Sequence, residues 1–213
     1  MSELTAASYW DQRYAGDEFW YGTQPNDFLR EHVAALPPHG RVLSLGEGEG
    51  RNAVFLAGQG FEVVGVDASV VALAKATRFA RERGVAITTV QADLAQFPLG
   101  HAAWDVIVSI WCHLLLPLRA RVHRDVVAAL RPGGIFLLEA YTPAQLAFRT
   151  GGPPTLDLLV TAATLREELA GLEFEIAVER EREIHEGPRH NGHSAVVQVL
   201  ARRPDPSGRA QNR

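Results

Sequence analysis

Val42-Leu43-Ser44-Leu45-Gly46-Glu47-Gly48-Glu49-Gly50-Arg51-Asn52 decides how this chain folds. Val42, Leu43 and Leu45 form an apolar run of strand length that stops at alternating glycines. Arg51 to Gly58 then reads as helix, with Gly60 near its end. A buried strand, a glycine turn and a helix in that order are the opening of an α/β unit.

The same alternation continues outward. Phe61 to Val66 reads as a second strand. Ser69 is placed to cap a helix carrying Val70, Leu73, Ala74, Thr77 and Ala80 on one face, and Gly84 to stop it. Ala86 to Val90 and Trp104 to Ile110 are the third and fourth strands. Pro117 suits the first turn of a helix burying Leu118, Val122, Val126 and Leu130. The turn Arg131-Pro132-Gly133-Gly134 leads into a fifth strand, Ile135 to Ala140, and after a Gly/Pro-rich insertion Thr161 to Leu169 reads as helix, ended by Gly171. Phe174 to Ile184 and Ala195 to Ala201 alternate as a terminal antiparallel hairpin. Five β–α units and a hairpin predict a Rossmann-like α/β fold: a mostly parallel, seven-stranded sheet with helices on both faces and a C-terminal antiparallel β-hairpin. The expected divisions are an amino-terminal helical cover (1–40), the α/β domain (41–203) and a disordered tail (204–213).

The 213 residues are 46% hydrophobic and 22% charged, the balance of a globular domain. A net charge of −4 lacks the basic footprint of nucleic-acid binding. Arginines near 78, 81 and 83, and near 119, 121 and 124, read as solvated helix faces. A single cysteine, Cys112, excludes an internal disulfide. With no signal-peptide pattern and no apolar run approaching about 20 residues, a cytoplasmic, membrane-free protein is expected, as monomer or homodimer.

In such sheets ligands bind beyond the carboxyl ends of the strands. Gly46, Gly48 and Gly50 let backbone approach a ligand, and the helix behind them offers free N–H groups. Asp67, with Ala68 after it, ends the second strand 21 residues beyond Gly46, where an acid accepts ribose hydroxyls. Asp93, followed by Leu94, ends the third strand and is placed to accept from an exocyclic amine. As structural features alone, both would be loop carboxylates capping helices. The dinucleotide fingerprint G-x-G-x-x-G wants a third glycine further along its helix, three residues after Gly48, and Arg51 stands there. Glu47 and Glu49 would also repel a pyrophosphate. S-adenosylmethionine carries a sulfonium and an ammonium and no phosphate, which those carboxylates tolerate.

The order Gly-x-Gly-x-Gly, Val-Asp, Ala-Asp-Leu, Pro-Gly-Gly from about Arg41 to Glu139 resembles class I S-adenosylmethionine-dependent methyltransferases. Gly50-Arg51-Asn52-Ala53-Val54-Phe55-Leu56-Ala57 and, more loosely, Ile184-His185 through Asn191-Gly192-His193 are similar to the bacterial tellurite-resistance methyltransferases. Tyr9-Trp10-Asp11-Gln12-Arg13-Tyr14 resembles thiopurine and thiol methyltransferases. The resemblance implies a cofactor site of Gly46, Glu47, Gly48, Gly50, Asn52, Asp67, Ala68, Asp93, Leu94 and Ser109. One departure stands out: the position before Leu45, commonly acidic in the superfamily, is Ser44, for which Glu47 or Glu49 would have to compensate.

Methyl transfer is an in-line displacement that asks the protein for alignment and dryness. Three segments are expected around the acceptor. Six aromatics among the first 21 residues (Tyr9, Trp10, Tyr14, Phe19, Trp20, Tyr21) read as a cover over the cofactor or as a helix packed on the sheet edge. After the fourth strand come Trp111, Cys112 and His113; His113 is either a base facing the methyl group or a hydrogen-bonded core histidine, and Cys112 reads as a small buried hydrophobe. Ser109-Ile110-Trp111-Cys112 does not match the Asn/Asp-Pro-Pro-aromatic motif of nucleic-acid amino-methyltransferases. The hairpin brings His185, His190 and His193, read as solvated loop histidines rather than metal ligands. By resemblance His185 handles the acceptor and His193 contacts it. Glu186 and His193 stand where the tellurite family has arginines, which argues against tellurite itself. The expectation is methyl transfer to a small thiol, selenium or tellurium compound, with His113 and His185 catalytic. The alternatives are a nitrogen or oxygen acceptor, including a macromolecule, or a non-catalytic S-adenosylmethionine-binding protein, with an NAD-dependent oxidoreductase a third class.

Overall fold

In the computed structural model, which describes residues 5–207, Arg41–Leu45 forms strand β1 and runs straight into the glycine turn. Helix α3 (Arg51–Gly58) comes next with the predicted bounds, after two short amino-terminal helices, α1 (Ala6–Tyr14) and α2 (Asp27–His32). The turn holds Gly46, Gly48 and Gly50 at φ 60°, 63° and 95°, where a side chain is penalised. Gly50 also lets α3 approach the next helix: a Cβ there would lie 2.7 Å from the Cβ of Ala76. Gly50→Ala is therefore expected to lower stability by roughly 2–4 kcal/mol, the left-handed penalty plus overpacking. Urea unfolding checks it, and an unchanged midpoint would mean that the turn relaxes freely.

The remaining elements are β2 (Glu62–Asp67), α4 (Val70–Glu82), β3 (Thr88–Gln91), β4 (Trp104–Ile110), α5 (Leu118–Ala129), β5 (Leu130–Tyr141), α6 (Ala162–Glu168), β6 (Glu173–His185) and β7 (Asn191–Arg202). They form one seven-stranded sheet in the order β3-β2-β1-β4-β5-β7-β6. Pairs from β3 to β5 are parallel, and β7 runs antiparallel to β5 and β6. The chain leaves β1 toward β2 on one side and returns to β4 on the other, so a crevice opens over the carboxyl ends of β1 and β4. Strand alternation sends Leu43, Leu45 and Ile107 into one core layer and Val42, Val106 and Val108 into the other. No helix among the described residues is long and apolar enough to cross a membrane.

Several expectations are corrected. The five β–α units are four, because the β3–β4 connection contains no helix. Asp93 turns the chain there, its Oδ1 accepting from Ala95 N at 2.8 Å, and Pro98 and Gly100 interrupt the stretch leading into β4. Strand β2 begins and ends one residue later than predicted, and β3 begins at Thr88. Strand β5 takes in Leu130 and the Arg131–Gly134 turn, with a register shift opposite Trp104 and Val106. Helix α4 has the predicted cap, Ser69 Oγ accepting from Ala72 N, but its buried face is Ala72, Leu73, Ala76, Phe79 and Ala80. Phe79 sets that phase by packing with Val54, which leaves Val70 half exposed. Arg119 is buried rather than solvated: its guanidinium grips both oxygens of Glu168, joining α5 to α6. Of the expected disordered tail, residues 208–213 lie outside the described residues, as do residues 1–4 of the cover.

Candidate functional site

A cavity of about 710 Å³ occupies the crevice. Gly46, Glu47, Gly48 and Asn52 line it from the glycine turn, Asp67 and Ala68 from β2, and Asp93 and Leu94 from the end of β3. Two predicted cofactor residues stand elsewhere. Gly50 faces Ala76. Ser109 is buried within β4, paired with Leu45 and Leu138 of the flanking strands.

Asp67 is held by its own neighbours, Oδ2 accepting from Gly48 N and Oδ1 from Ser69 N, both at 2.8 Å. Burial raises its pKa and those N–H groups oppose the rise. Each oxygen keeps a lone pair for a further donor.

The two loop glutamates do not act as bare charges, which corrects the expected repulsion. Glu49 is buried and paired with Lys75 Nζ at 2.8 Å. Glu47 folds back over Gly65 of β2, and its Oε1 accepts from Ala53 N at 2.9 Å, so this chain's own carboxylate takes an N–H at the start of α3. Burial pushes Glu47 up to about 7 against the pull of Ser44 and Ala53; its carboxyl group lies against the serine that replaces the usual acid. Folded Glu47 thus binds a proton more tightly than unfolded Glu47, and the resulting stability is full below pH 4.5 and lost as pH rises through 7. Relative to Glu47→Gln, the protein should lose roughly 3 kcal/mol between pH 4.5 and 7, read from urea unfolding at each pH. A difference independent of pH would show that folding leaves the proton affinity of Glu47 unchanged.

The amino-terminal aromatics cover this half. Thr5 caps α1, Asp11 accepts from Ser69 Oγ at 2.6 Å, and the Tyr14 hydroxyl reaches over Gly48. Glu49 Oε2 accepts from Trp20 N at 2.7 Å and Tyr21 N at 3.3 Å, fastening the next segment down. Tyr9, Trp10, Tyr14, Trp20 and Tyr21 all line the cavity. Phe19 does not; it packs on Phe79 with ring centroids 5.2 Å apart.

Beyond β4 the wall is aromatic. Trp111, at φ 56°, stacks on fully buried Tyr141 at 4.4 Å, and His190 meets Trp111 edge-on at 5.0 Å. His113 also stacks on Tyr141, at 5.7 Å, and its Nδ1 lies 3.2 Å from Leu158 O. A carbonyl only accepts, so Nδ1 carries the proton and Nε2 keeps a lone pair. Burial lowers His113 to about 4 and His190 to about 3, so both rings are neutral at pH 7. His113 Nε2, His190 Nδ1 and Tyr141 Oη are buried without a partner among the described residues. Cys112 also lines the cavity, its thiol pushed by burial to about 12.

The hairpin histidines are corrected. His185 is exposed, bonded to Asn191 Oδ1, and His193 lies between Glu181 and Glu183 on the outer face. Neither lines the cavity, because alternation along β6 turns Ile184 and Glu186 inward and His185 outward. His190, read as solvated, is the buried one. Among the described residues no group of three His, Cys, Asp or Glu is placed to hold a metal.

A polar network missed by sequence reasoning lies beneath Trp111. Glu186 accepts from Arg51 Nη2 at 2.7 Å, Asn26 Nδ2 at 2.8 Å, Arg182 Nη2 at 2.8 Å and the Trp111 indole N–H at 2.9 Å. Arg182 also grips both oxygens of Glu139, whose Oε1 accepts from Gln198. Only the inward phase of Glu186 on its strand could have signalled this.

Comparison with known proteins agrees with that geometry. A family profile described as a methyltransferase domain matches residues 42–134. The thiopurine S-methyltransferase of Pseudomonas putida is 28% identical over 84% of this chain and 81% of its own. The structure of TehB from Haemophilus influenzae aligns with TM-score 0.67 at 20% identity, covering 93% of this chain and 67% of that one. A structure from work on conversion of a disulfide bond into a thioacetal group during echinomycin biosynthesis aligns with TM-score 0.75 at 20% identity, covering 95% and 94%. The chain spans 60%, 62% and 53% of the length of three other methyltransferases it matches.

Proposed function

From the class I S-adenosylmethionine-dependent methyltransferase fold, which this chain has, we propose that it methylates a small molecule at sulfur, selenium or tellurium. The observation that carries this reading is one cavity with two unlike halves. On one side are the glycine turn, Asp67 and Asp93, and on the other an aromatic wall free of carboxylates, with the unpartnered Nε2 of His113 buried in it.

The cofactor side suits S-adenosylmethionine. A Cβ on Gly46 would lie 2.8 Å from Cys112 Sγ, so the turn approaches the wall as closely as bare backbone allows. Asp67 would hold the ribose hydroxyls and Asp93 the adenine amine, while Gly46 and Gly48 leave room for the amino-acid end. When bound, the donor supplies an electrophilic methyl group whose bond to sulfur breaks as the acceptor's lone pair forms the new bond, leaving S-adenosylhomocysteine and a proton.

The chain's own residues then have three tasks. Tyr14, Trp20 and Tyr21 exclude water from above. Trp111, backed by the buried ring of Tyr141, presents a flat face that aligns the acceptor. His113 Nε2 accepts a hydrogen bond from the acceptor's S–H and takes its proton as the methyl arrives. With its pKa near 4 it is too weak to deprotonate an alcohol or an ammonium beforehand, whereas a thiol sulfur is nucleophilic with its proton still in place and gives it up as the new bond forms. That mismatch favours a polarizable acceptor.

Labelled S-adenosylmethionine offered with a panel of thiols, selenite and tellurite tests the reading; transfer only to RNA or protein would refute it. His113→Phe should reduce kcat for thiols by roughly 10–100-fold while leaving S-adenosylhomocysteine affinity unchanged.

A further inference from the structure

Three arginines border the cavity without a counter-charge. Arg13, Arg149 and Arg189 line it, and none forms an ion pair or donates a hydrogen bond among the described residues. The Arg189 guanidinium lies 4.3 Å over the Trp20 ring and that of Arg13 4.5 Å over Tyr9. Such stacking engages the flat face of a guanidinium and leaves its N–H edge available. The carboxylates bordering the same cavity, Glu47, Glu49, Asp67 and Asp93, all belong to its cofactor side. In a chain of net charge −4, this local excess of positive charge does not follow from composition. Unpaired arginines also occur at 81, 83, 124 and 180, all exposed, but none of them lines this cavity.

Arg149 and Arg189 are carried on abutting loops. Asn191 N donates to Thr150 O at 3.3 Å, and the Arg189 carbonyl lies 2.7 Å from where a Cβ on Gly151 would stand. Gly151 and Gly152 allow that contact and also let the loop cross the face of Tyr141, whose ring atoms lie 2.5 Å from a Cβ placed on Gly152. The two arginine-bearing loops thus meet beside Tyr141, which backs the aromatic wall. Below them, the cavity-lining His113 and His190 keep Nε2 and Nδ1 buried with unused hydrogen-bonding capacity. Leaving such groups unpaired is costly, which marks them as partners for a polar ligand.

We propose that the acceptor is an anionic molecule, its carboxylate or comparable oxyanion held by Arg149 and Arg189 at the rim, and its reactive atom set among Trp111, His113 and His190. This rests on the methyltransferase reading for the reaction, though not for the binding. Arg13, on α1 over the rings of Tyr9 and Trp10, is not assigned to the acceptor.

The probes are 4-mercaptobenzoate and its uncharged isostere 4-mercaptobenzamide, titrated calorimetrically into the protein saturated with S-adenosylhomocysteine. The carboxylate should bind at least about tenfold tighter than the amide, and the preference should shrink with added salt. In Arg149→Gln/Arg189→Gln the carboxylate should lose about tenfold or more while the amide is unaffected. Equal affinity for the two probes, binding of neither, or an equal loss in the variant would overturn the proposal. Turnover is followed separately with labelled S-adenosylmethionine: a carboxylate preference without methyl transfer would refute the methyltransferase reading and leave the arginine pair standing.

Discussion

Replacing Glu186 with alanine is expected to cost about 3–5 kcal/mol of stability, the scale for stranding a buried charge. The side chain of Glu186 is 2% exposed and that of Arg51 7%, and the pair closes at 2.7 Å. Removing the carboxylate leaves Arg51 with only Gln24 O at 3.3 Å, and deprives Asn26, Arg182 and the Trp111 indole of an acceptor at once. Burial alone would raise the Glu186 pKa, but Arg51, Trp111 and Arg182 outweigh it and hold it at about 2. Folding therefore prefers the ionised form; that stability is full above pH 4.5 and lost as pH falls through 2. Glu186→Gln keeps the shape and some of the hydrogen bonds and should lose less. Urea unfolding at pH 7 measures both. A loss below about 1 kcal/mol for the alanine variant would mean that solvent reaches the network and replaces the carboxylate.

The second large effect concerns the cofactor. Asp67→Ala should weaken S-adenosylhomocysteine binding by about 1.5–3 kcal/mol, roughly 10–150-fold, as expected for losing hydrogen bonds to a charged group. Asp67 also fixes the turn, since its Oδ2 holds Gly48 N. Asp67→Asn, which retains one acceptor oxygen, should therefore fall between the two. Calorimetric titration separates the cases, and an unchanged dissociation constant for the alanine variant would show that Asp67 does not hold the ribose.

The glycine-turn half of the candidate site is local, and its lining residues could be named from the sequence. Gly46, Gly48, Asp67 and Asp93 sit at strand ends, and a strand end has a known place in a parallel sheet. The α3 bounds and the Ser69 cap came from residues within one turn, whereas Thr161, read as the first residue of a helix, caps α6 instead. The acceptor side was read less well. His185 resembled a functional histidine, yet the β6 register turns it to solvent and brings His190 inward from the turn after it. Glu47 and Glu49 looked like exposed charge, and each proved to have a buried partner.

Periodicity and glycine spacing were enough to specify a parallel sheet, its crevice and the half of the cavity that suits an adenosine-bearing donor, because those signals act over a few residues along one segment. The aromatic wall, the Glu186 network and the arginine rim depended on the packed molecule. Trp111, Tyr141, Glu186 and Arg51 come from segments up to 135 residues apart, and the identity of a charged residue does not reveal whether folding will leave it in water or bury it against a distant partner. Which partner it meets is set by strand register and loop packing, and those arise only when the sheet closes.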